Sequence, residues 1–313
     1  MHSSGHAPAL PKHPGLRNPL TAFRLLCVAI TVGLIAACSS SPPRQPPSSA
    51  VAPVPTVADG STLRSIRERG TVRIGVKFDV PLFGFRDKAG RLDGFDVRIA
   101  EMVAADIFDQ PDAHDRIEFV EALSKDREAF LQAGTVDLVV STYTITESRK
   151  QFVDFAGPYY IAGQDILART EDVDSGRISG VGSLNGLKVC AVTGSTSLTN
   201  LIAAAPDADT SVTAERYPEC FEALRSGKVD AMTTDDVILL GLRQTDPSAF
   251  ALTGNPFHTE PYGVGIPKGD SQLRALVNAA LGRSFTDGTW ARAFSSTVGT
   301  VGADTPAPPQ LSP

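Results

Sequence analysis

The sequence has few of the residues that point to a metal centre, a disulfide scaffold or a nucleic-acid surface. Among 313 residues there are one Trp, five His and four Cys, which argues against a multi-histidine metal enzyme and a cysteine-rich scaffold. Lys and Arg number 29 against 35 Asp and Glu, a formal charge of −6. Because phosphate neutralisation needs a basic field, nucleic-acid binding is not expected. We also expect no metal and no cofactor.

Long apolar runs are scarce, although 42% of the residues are apolar and 20% are charged. This composition is ample for a buried core and predicts one large or two modest domains. An apolar run of 13 residues, Leu25 to Ala37, follows the three charges of Lys12, Arg17 and Arg24. It is too short for a permanent membrane span, so we predict a signal peptide over residues 1–37.

The end of this run resembles a bacterial lipobox. Leu34-Ile35-Ala36-Ala37 places small residues before Cys38. In lipoproteins such a cysteine receives a diacylglyceryl group on its thiol, and cleavage then leaves it as the first residue. We therefore expect a lipid-anchored protein at the extracytoplasmic face of the membrane. An ordinary signal cleavage site with an incidental cysteine is the alternative. Losing the three basic residues would change the formal charge from −6 to −9.

Two segments are rich in proline. Residues 39–60 contain six Pro and five Ser and bury too little apolar surface to fold, so residues 38–60 are predicted to form the anchor and an extended tether. Residues 302–313 are predicted to be a disordered tail. The folded part is then about residues 61–301.

Strand-like and helix-like segments alternate through the folded part. Short runs of apolar and β-branched residues predict strands at 71–76, 117–120, 136–140, 187–192 and 229–232. Helical periodicity and composition predict helices between them at 95–107, 126–132, 198–204 and 218–226. This alternation predicts an α/β architecture with largely parallel sheets. The phrase Gly-x-Val-Asp occurs at 134–137 and at 227–230, which suggests two similar lobes.

Several segments resemble the polar amino-acid branch of the bacterial extracellular solute-binding proteins, family 3. They are GFDVRIAEMV at 94–103, STYTITESR at 141–149, FVDF at 152–155 and PYY at 158–160. The resemblance extends over about residues 63–294; Arg98 departs from it, since the signature usually has an acid there. It implies the class II periplasmic-binding-protein fold, in which two α/β lobes close on one amino acid about two hinge crossings.

The resemblance also implies the lobe boundaries. The crossings would lie near residues 160–164 and 254–261. The first lobe would combine residues 61–160 with residues 255–301, and residues 161–254 would form the second lobe. Ligand sites in open α/β sheets lie beyond the carboxyl ends of the strands, which is where the polar segments described next occur.

Arg149 is the residue that the resemblance assigns to the α-carboxylate of the ligand. A guanidinium can hold two oxygens in a planar fork, supported by the hydroxyls of Thr142 and Thr144 or by nearby backbone N–H groups. The alternative is an exposed charge on the helix that begins after Thr146.

The second lobe offers matching groups. Thr193, Ser195 and Thr196 lie between a strand and the N-terminus of a helix, whose N–H groups and dipole suit an anion; an ordinary helix cap is the alternative. Asp235 matches the aspartate that holds the α-ammonium in the family. Its neighbour Asp236 is the alternative, and one of the two would then be only a helix cap.

Lys77, Ser124 and Arg127 are expected to select the side chain of the ligand. Lys77 and Ser124 stand where glutamine binders usually have an acid and an aromatic ring. Ser124 to Arg127 resembles the Ser-x-x-Arg segment of glutamate- and aspartate-binding members, whose Arg meets the side-chain carboxylate. We therefore expect glutamate or aspartate as ligand. Glutamine or asparagine, with surface roles for Lys77 and Arg127, is the alternative.

Cys190 and Cys220 are the cysteines of the folded part. Outside the cytoplasm they are expected to form a disulfide, with two buried free thiols as the alternative.

The expected partners follow from the receptor function that the resemblance implies. We expect a monomer that presents a free amino acid to an ABC permease or, alternatively, to a membrane sensor. A dehydratase-like enzyme on the same scaffold is a further alternative. The sequence contains neither a Gly-x-Ser-x-Gly elbow nor a phosphate-binding Gly-Lys-Ser/Thr loop, so we expect no catalysis.

Replacing Cys38 tests the predicted anchor. The variant Cys38→Ala should appear in the medium or persist as uncleaved precursor, because the thiol that accepts the lipid is gone. Fractionation of cells followed by immunoblotting measures this. Processed Cys38→Ala protein that stays in the membrane fraction would show that the anchor is not at Cys38.

Overall fold

A computed structural model describes residues 61–312 of the chain. The predicted signal peptide (1–37), the lipid site Cys38 and the tether (38–60) lie outside the described residues. Within residues 61–312, no helix combines the length and the apolar character needed to span a bilayer.

The predicted strands and helices are present, but the sequence prediction omitted the long strands at 153–169 and 258–267. Because these two strands pair antiparallel, the expectation of largely parallel sheets holds only within each lobe. The strands are β1 (Val72–Val76), β2 (Asp79–Val80), β3 (Gly84–Arg86), β4 (Leu92–Asp93), β5 (Ile117–Glu121), β6 (Leu138–Val139), β7 (Val153–Arg169), β8 (Val189–Val192), β9 (Thr213–Ala214), β10 (Ala231–Asp235), β11 (Phe250–Leu252) and β12 (His258–Pro267). The helices are α1 (Thr62–Arg69), α2 (Phe95–Phe108), α3 (Arg127–Gln132), α4 (Glu147–Lys150), α5 (Thr170–Asp174), α6 (Thr196–Ala204), α7 (Tyr217–Arg225), α8 (Asp236–Arg243), α9 (Ser271–Thr286) and α10 (Thr289–Ser296). Short 3-10 turns occur at His114–Arg116, Val181–Leu184 and Val298–Val301.

One mixed sheet runs through the molecule in the order β5-β1-β6-β12-β7-β10-β8-β9, with β11 also paired to β7. Strands β5, β1 and β6 pair in parallel at one end, and β10, β8 and β9 pair in parallel at the other. We call the parts that carry these two groups the first lobe and the second lobe. Between them lie the long antiparallel strands β7 and β12, which carry the chain from one lobe to the other.

The predicted crossing segments face each other in this central pair. Tyr160 is opposite Tyr262, and Gln164 is opposite His258. The pairing is irregular between Tyr262 and Val264. Both connections between the lobes are therefore strands that hydrogen-bond to each other, an arrangement suited to hinge motion.

The repeated Gly-x-Val-Asp phrase makes the same contact in each lobe. Asp137 accepts a hydrogen bond from the backbone N–H of Arg73 at 2.7 Å and donates its own N–H to the carbonyl of Arg73 at 2.8 Å. Asp230 makes the equivalent pair with Lys188, at 2.9 and 2.8 Å. Each aspartate thus fixes the start of one strand to its parallel neighbour, so the repeat has a structural role.

An aromatic cluster holds α2 against β7 and α10. Phe95, at the start of α2, is buried, and its ring centroid lies 5.6 Å from that of Trp290. The Trp290 indole N–H donates to the carbonyl of Tyr159 at 2.8 Å. Further ring contacts of Phe95 involve Phe83, Tyr159, Tyr160 and Phe294. This packing fixes the part of β7 that precedes the crossing.

The C-terminal tail differs from the sequence prediction of disorder at 302–313. The backbone N–H of Ser312 donates to the carbonyl of Gly157 on β7 at 2.8 Å, and its carbonyl accepts from the Asn278 side chain at 3.3 Å. Leu311 packs against the core. The proline-rich composition shows that the tail cannot fold by itself, but it does not show that the first lobe offers it a surface.

The predicted disulfide joins Cys190 on β8 to Cys220 on α7, with a sequence separation of 30. Replacing both cysteines by Ala should lower the free energy of unfolding by about 3 kcal/mol, because the unfolded chain loses a closed loop of this length. Urea denaturation measures the change. Unchanged stability would contradict it. Affinity for the ligand should change little, since the bridge lies wholly within the second lobe.

Candidate functional site

Buried polar side chains collect where strands of both lobes end. Lys77 follows β1, Thr142 lies three residues after β6, and Asp235 ends β10. All three are at most 3% exposed. Because the parallel strands of each lobe end at this edge, their polar residues face one cleft, as expected for α/β ligand sites.

The two lobes are in contact across this cleft. Tyr217 donates its backbone N–H to Asp79 at 3.2 Å, and Arg216 donates to Glu121 at 2.8 Å. Gly194 has a φ of 77°, and a Cβ at this position would lie 2.6 Å from the Cα of Lys125. Only glycine allows so close an approach. The structure is therefore a closed conformation.

Arg149 is 7% exposed, which excludes the exposed surface charge considered above. Thr146 caps α4, because its hydroxyl oxygen accepts the backbone N–H of Arg149 at 3.2 Å. The guanidinium donates from Nε to Glu128 at 3.0 Å, from Nη1 to the carbonyl of Thr144 at 2.8 Å and from Nη2 to the carbonyl of Gly194 at 3.2 Å. Burial, and then the charge of Arg127, lowers the Arg149 pKa to about 10.

Arg127 lies beside Arg149, and both guanidinium groups contact the ring of Tyr143, at 4.4 and 4.9 Å from its centroid. Arg127 is buried and is held by backbone carbonyls of Ser124 (3.1 Å), Ser141 (3.0 Å) and Thr142 (3.2 Å). Its Nη2 is 3.5 Å from the carbonyl oxygen of Gly194. The Nη2 atoms of the two arginines thus converge on one oxygen, a position suited to an anionic group.

Thr142 has a φ of 42°, unusual for a threonine. Asp96 holds this conformation, since its Oδ2 accepts the backbone N–H of Thr142 at 2.7 Å and its Oδ1 accepts the hydroxyl of Tyr159 at 2.6 Å. Burial raises the Asp96 pKa to about 6. The hydroxyl oxygen of Thr142 is buried and has no partner among the described residues. It is therefore open to a ligand.

Thr196 meets the first lobe, whereas Ser195 and Thr193 have other surroundings. The Thr196 hydroxyl oxygen is 3.4 Å from that of Thr144. Ser195 caps α6, accepting from the backbone N–H of Leu198 at 3.2 Å, so its hydroxyl has the helix-cap role considered above. Thr193 is exposed. Of these three side chains, the structure brings Thr196 to the other lobe.

Asp235 and Asp236 have different surroundings. Asp235 is buried; its Oδ2 accepts the hydroxyl of Tyr262, and its Oδ1 has no partner within the described part of the chain. Burial, and then the negative charge of Glu260, raises the Asp235 pKa to about 8. Asp236 accepts the backbone N–H groups of Val237 (2.7 Å) and Gly163 (3.3 Å). Asp235 is therefore the carboxylate with an open acceptor.

Lys77 forms the other end of the site. Its Nζ donates to the hydroxyl of Ser124 at 2.9 Å and lies 5.6 Å from the ring centroid of Tyr217. Burial, and then the charge of Arg127, lowers the Lys77 pKa to about 7. Asp79 lies nearby with its Oδ1 buried and unpartnered in residues 61–312. Burial raises the pKa of Asp79.

Several residues of the site were missed by sequence reasoning. Asp96 stands inside the recognised GFDVRIAEMV segment, so its position was visible although its role was not. Asp79 lies two residues after Lys77, but nothing in the sequence shows that Oδ1 stays unpaired. Tyr143, Tyr262 and Glu260 join the site only through packing.

Two grooves lie on the surface of the described chain. One of about 690 Å³ runs between the lobes beside Arg149, and Lys125, Phe152 and His258 are among the residues that line it. A larger groove of about 1210 Å³ lies along α2, α9 and α10 and contains none of the predicted site residues. The first groove therefore marks the edge of the site on its Arg149 side.

Two α/β lobes that close over buried groups of both charges define a bilobed receptor for a small polar ligand. The family profile of the bacterial extracellular solute-binding proteins, family 3, matches residues 72–299. The chain belongs to this family.

Similar proteins are known from sequence and structure. The ABC transporter glutamine-binding protein GlnH of Bacillus subtilis is 41% identical over 73% of this chain and 81% of its own. The glutamate-binding protein GluB of Corynebacterium efficiens is 37% identical over 77% and 83%. The solute receptor for L-cysteine of Neisseria gonorrhoeae has a TM-score of 0.72 and 28% identity over 80% of this chain and 99% of that chain. These similarities confirm the predicted class II fold.

Removing the guanidinium of Arg149 should weaken all amino-acid ligands together. If it binds the α-carboxylate that they share, Arg149→Ala should cost about 2–5 kcal/mol of binding free energy for each, with little change in selectivity. Calorimetry measures this. Arg98→Ala is the control, because the Arg98 guanidinium is 41% exposed and pairs with Asp93 and Glu101 on α2 and its N-terminal side, away from the predicted site residues. Normal affinity in Arg149→Ala would exclude the role.

Proposed function

We propose that the protein binds a free polar amino acid, with a preference for glutamate or aspartate, and presents it to an ABC permease from the extracytoplasmic face of the membrane. The names of the relatives support the ligand class, because GlnH and GluB are described as glutamine-binding and glutamate-binding proteins.

The amino-acid head group would bind between Arg149 and Asp235. The α-carboxylate would bind beside the Nη2 atoms of Arg149 and Arg127 and replace the Gly194 carbonyl oxygen as their acceptor. The unpaired hydroxyl of Thr142 is a further donor. The α-ammonium would donate to the open Oδ1 of Asp235. An amino acid thus supplies both partners that these buried groups lack.

The preference for an acid rests on one observation, the hydrogen bonding of Lys77. This ammonium is 1% exposed and has three N–H donors, yet within residues 61–312 its one hydrogen-bond acceptor is the Ser124 hydroxyl at 2.9 Å. A side-chain carboxylate offers two charged oxygens to the remaining donors. An amide offers one neutral oxygen, so it would leave the buried cation less well paired.

Asp79 supports a second candidate, a ligand with an amide side chain. Its buried, unpartnered Oδ1 lies on the same side of the site as Lys77. An amide could accept from Lys77 and donate to Asp79, whereas a carboxylate has no proton to donate. Glutamine or asparagine is therefore the alternative ligand class.

Binding without turnover is the proposed activity. Asp235 has a raised pKa, but its open oxygen is suited to the ligand ammonium, and the relatives are binding proteins. Recovery of unchanged amino acid in a 1:1 ratio to protein would support binding. Conversion of the ligand would support the dehydratase-like alternative.

A neighbouring gene for a membrane sensor, instead of genes for a permease and its ATPase, would support the signalling alternative.

Lys77→Met should remove the preference for acids. Without the ammonium, glutamate and aspartate should lose at least tenfold in affinity, and glutamine and asparagine should lose less. Calorimetry with all four amino acids measures the order. Asp79→Asn is the matched variant, because it should weaken the amides if Asp79 accepts from them. Tighter binding of glutamine by the unmodified protein would contradict the acidic preference.

The pH dependence separates Lys77 from Asp235. Asp235 would bind the α-ammonium that every amino acid has. Its titration therefore cancels in the ratio of glutamate to glutamine affinity. Lys77 has a lowered pKa of about 7 in the free site, and a carboxylate favours its protonated form. The ratio should therefore be highest below pH 7 and fall as the pH rises above it. Lys77→Met should lose the part of this change that is centred near pH 7, whereas Asp79, whose pKa burial raises, titrates in both proteins.

A further inference from the structure

Glu260 is a fully buried carboxylate on β12, outside the set of residues that the sequence predicts for the site. Its Oε2 accepts the hydroxyl of Thr196 at 2.7 Å. Its Oε1 accepts the side-chain amide of Asn200 at 2.8 Å and lies 2.8 Å from Nδ1 of His258. A buried charge with three polar partners is well satisfied, so Glu260 needs no ligand of its own.

These contacts attach the N-terminal half of α6 to β12 and β7, the two strands that connect the lobes. Glu260 lies on β12, and Asn200 also donates to the side-chain oxygen of Gln164 on β7 at 2.9 Å. The Gln164 amide in turn donates to the carbonyl of Ser197 at 3.0 Å. The N-terminus of α6 is therefore held by β7 and β12 as well as by β8, the strand from which it continues.

The same contacts set the direction of a hydrogen bond across the cleft. Thr196 has one hydroxyl proton, and it donates this proton to Glu260. Its oxygen can then only accept from Thr144 of the first lobe, 3.4 Å away. Glu260, Thr196 and Thr144 thus form a chain in which the carboxylate fixes the orientation of both hydroxyls.

We propose that Glu260 is a positioning residue for closure of the cleft. Acting through Thr196, it holds the N-terminus of α6 where that helix meets Thr144, and so slows reopening of the closed, liganded state. The inference rests on the proposed function, because closure retains a ligand only if the amino acid binds between the lobes.

The charge of Glu260 also affects the pKa of Asp235, which provides a second measurement of its role. Since like charges disfavour each other, Glu260 raises the Asp235 pKa. The other titratable or charged groups that act on Asp235, or on which it acts, are Tyr262, Asp236, Arg127, Tyr160 and Tyr217. None of these is removed when Glu260 is replaced, so a change in the titration of Asp235 reports on Glu260.

Stopped-flow binding of L-glutamate and L-glutamine tests the proposal. Glu260→Gln and Thr196→Val should each raise the dissociation rate constant about tenfold and change the association rate constant less than about threefold, because association begins in the open state. Thr213→Val is the matched control, an exposed threonine on β9 of the second lobe that is not among the residues lining the groove beside Arg149, and should keep both rate constants. If Glu260→Gln does not fold, Thr196→Val tests the same chain.

The pH dependence of affinity distinguishes positioning from a structural role. Affinity should fall as the pH falls through the pKa of Asp235, since the neutral acid no longer accepts strongly from the ligand ammonium. Glu260→Gln should move this midpoint to lower pH. Thr196→Val keeps the Glu260 carboxylate, so it should raise the dissociation rate constant and leave the midpoint where it was. A variant that only loosens the fold would instead lower the melting temperature.

Two results would overturn the proposal. One is unchanged dissociation in a folded Glu260→Gln or Thr196→Val protein, and the other is a loss of affinity with no shift in the pH midpoint of Glu260→Gln. Both amino acids are used so that this test stays separate from the acidic preference. If the unmodified protein prefers glutamine, that preference is wrong, and the role of Glu260 is then decided with glutamine.

Discussion

The cost of burying charge governs the architecture of this protein. Lys77, Arg127 and Arg149 are all nearly inaccessible to water in the closed structure, and an unpaired buried cation costs far more than the fold can sustain. The surrounding carbonyl, hydroxyl and carboxylate oxygens satisfy most of their donors. Hydrogen bonding is incomplete at Lys77 and at the buried oxygens of Thr142, Asp79 and Asp235, among others, and at these four groups a ligand can contribute.

The central strands β7 and β12 connect the two lobes that contribute the buried charges. They hydrogen-bond to each other along most of their length, so the two lobes share one sheet while their parallel strand groups stay apart. Glu260 and Gln164, one on each strand, contact the first turn of α6 directly or through Asn200. The connections between the lobes are therefore also part of the support of the site. A change in the relative position of these two strands would therefore alter the support of α6 through those side chains.

Arg127 and Arg149 show what the type of a residue can predict about its role and what it cannot. The sequence places both near the site, and a planar guanidinium suits any carboxylate. In the structure, carbonyl oxygens of Ser124, Ser141 and Thr142 hold most of the Arg127 donors. Arg127 thus serves largely to fix the backbone, and Lys77 becomes the stronger candidate for contact with the ligand side chain. Counting cations in the sequence cannot make this distinction, because it depends on which acceptors each donor meets.

The sequence by itself did not determine the long strands β7 and β12, but it did determine the family, the disulfide pair and the strands and helices with clear periodicity, such as β1, β5 and α2. These follow from local periodicity, from short motifs and from residue chemistry, all of which are readable along the chain. Only the tertiary structure decided that the tail up to Ser312 lies on the first lobe, that Ser195 serves as a cap, and that Glu260 lies beneath Thr196. Each of these depends on a partner distant in sequence, and hydrogen-bond satisfaction in a closed interior is settled by all such partners at once.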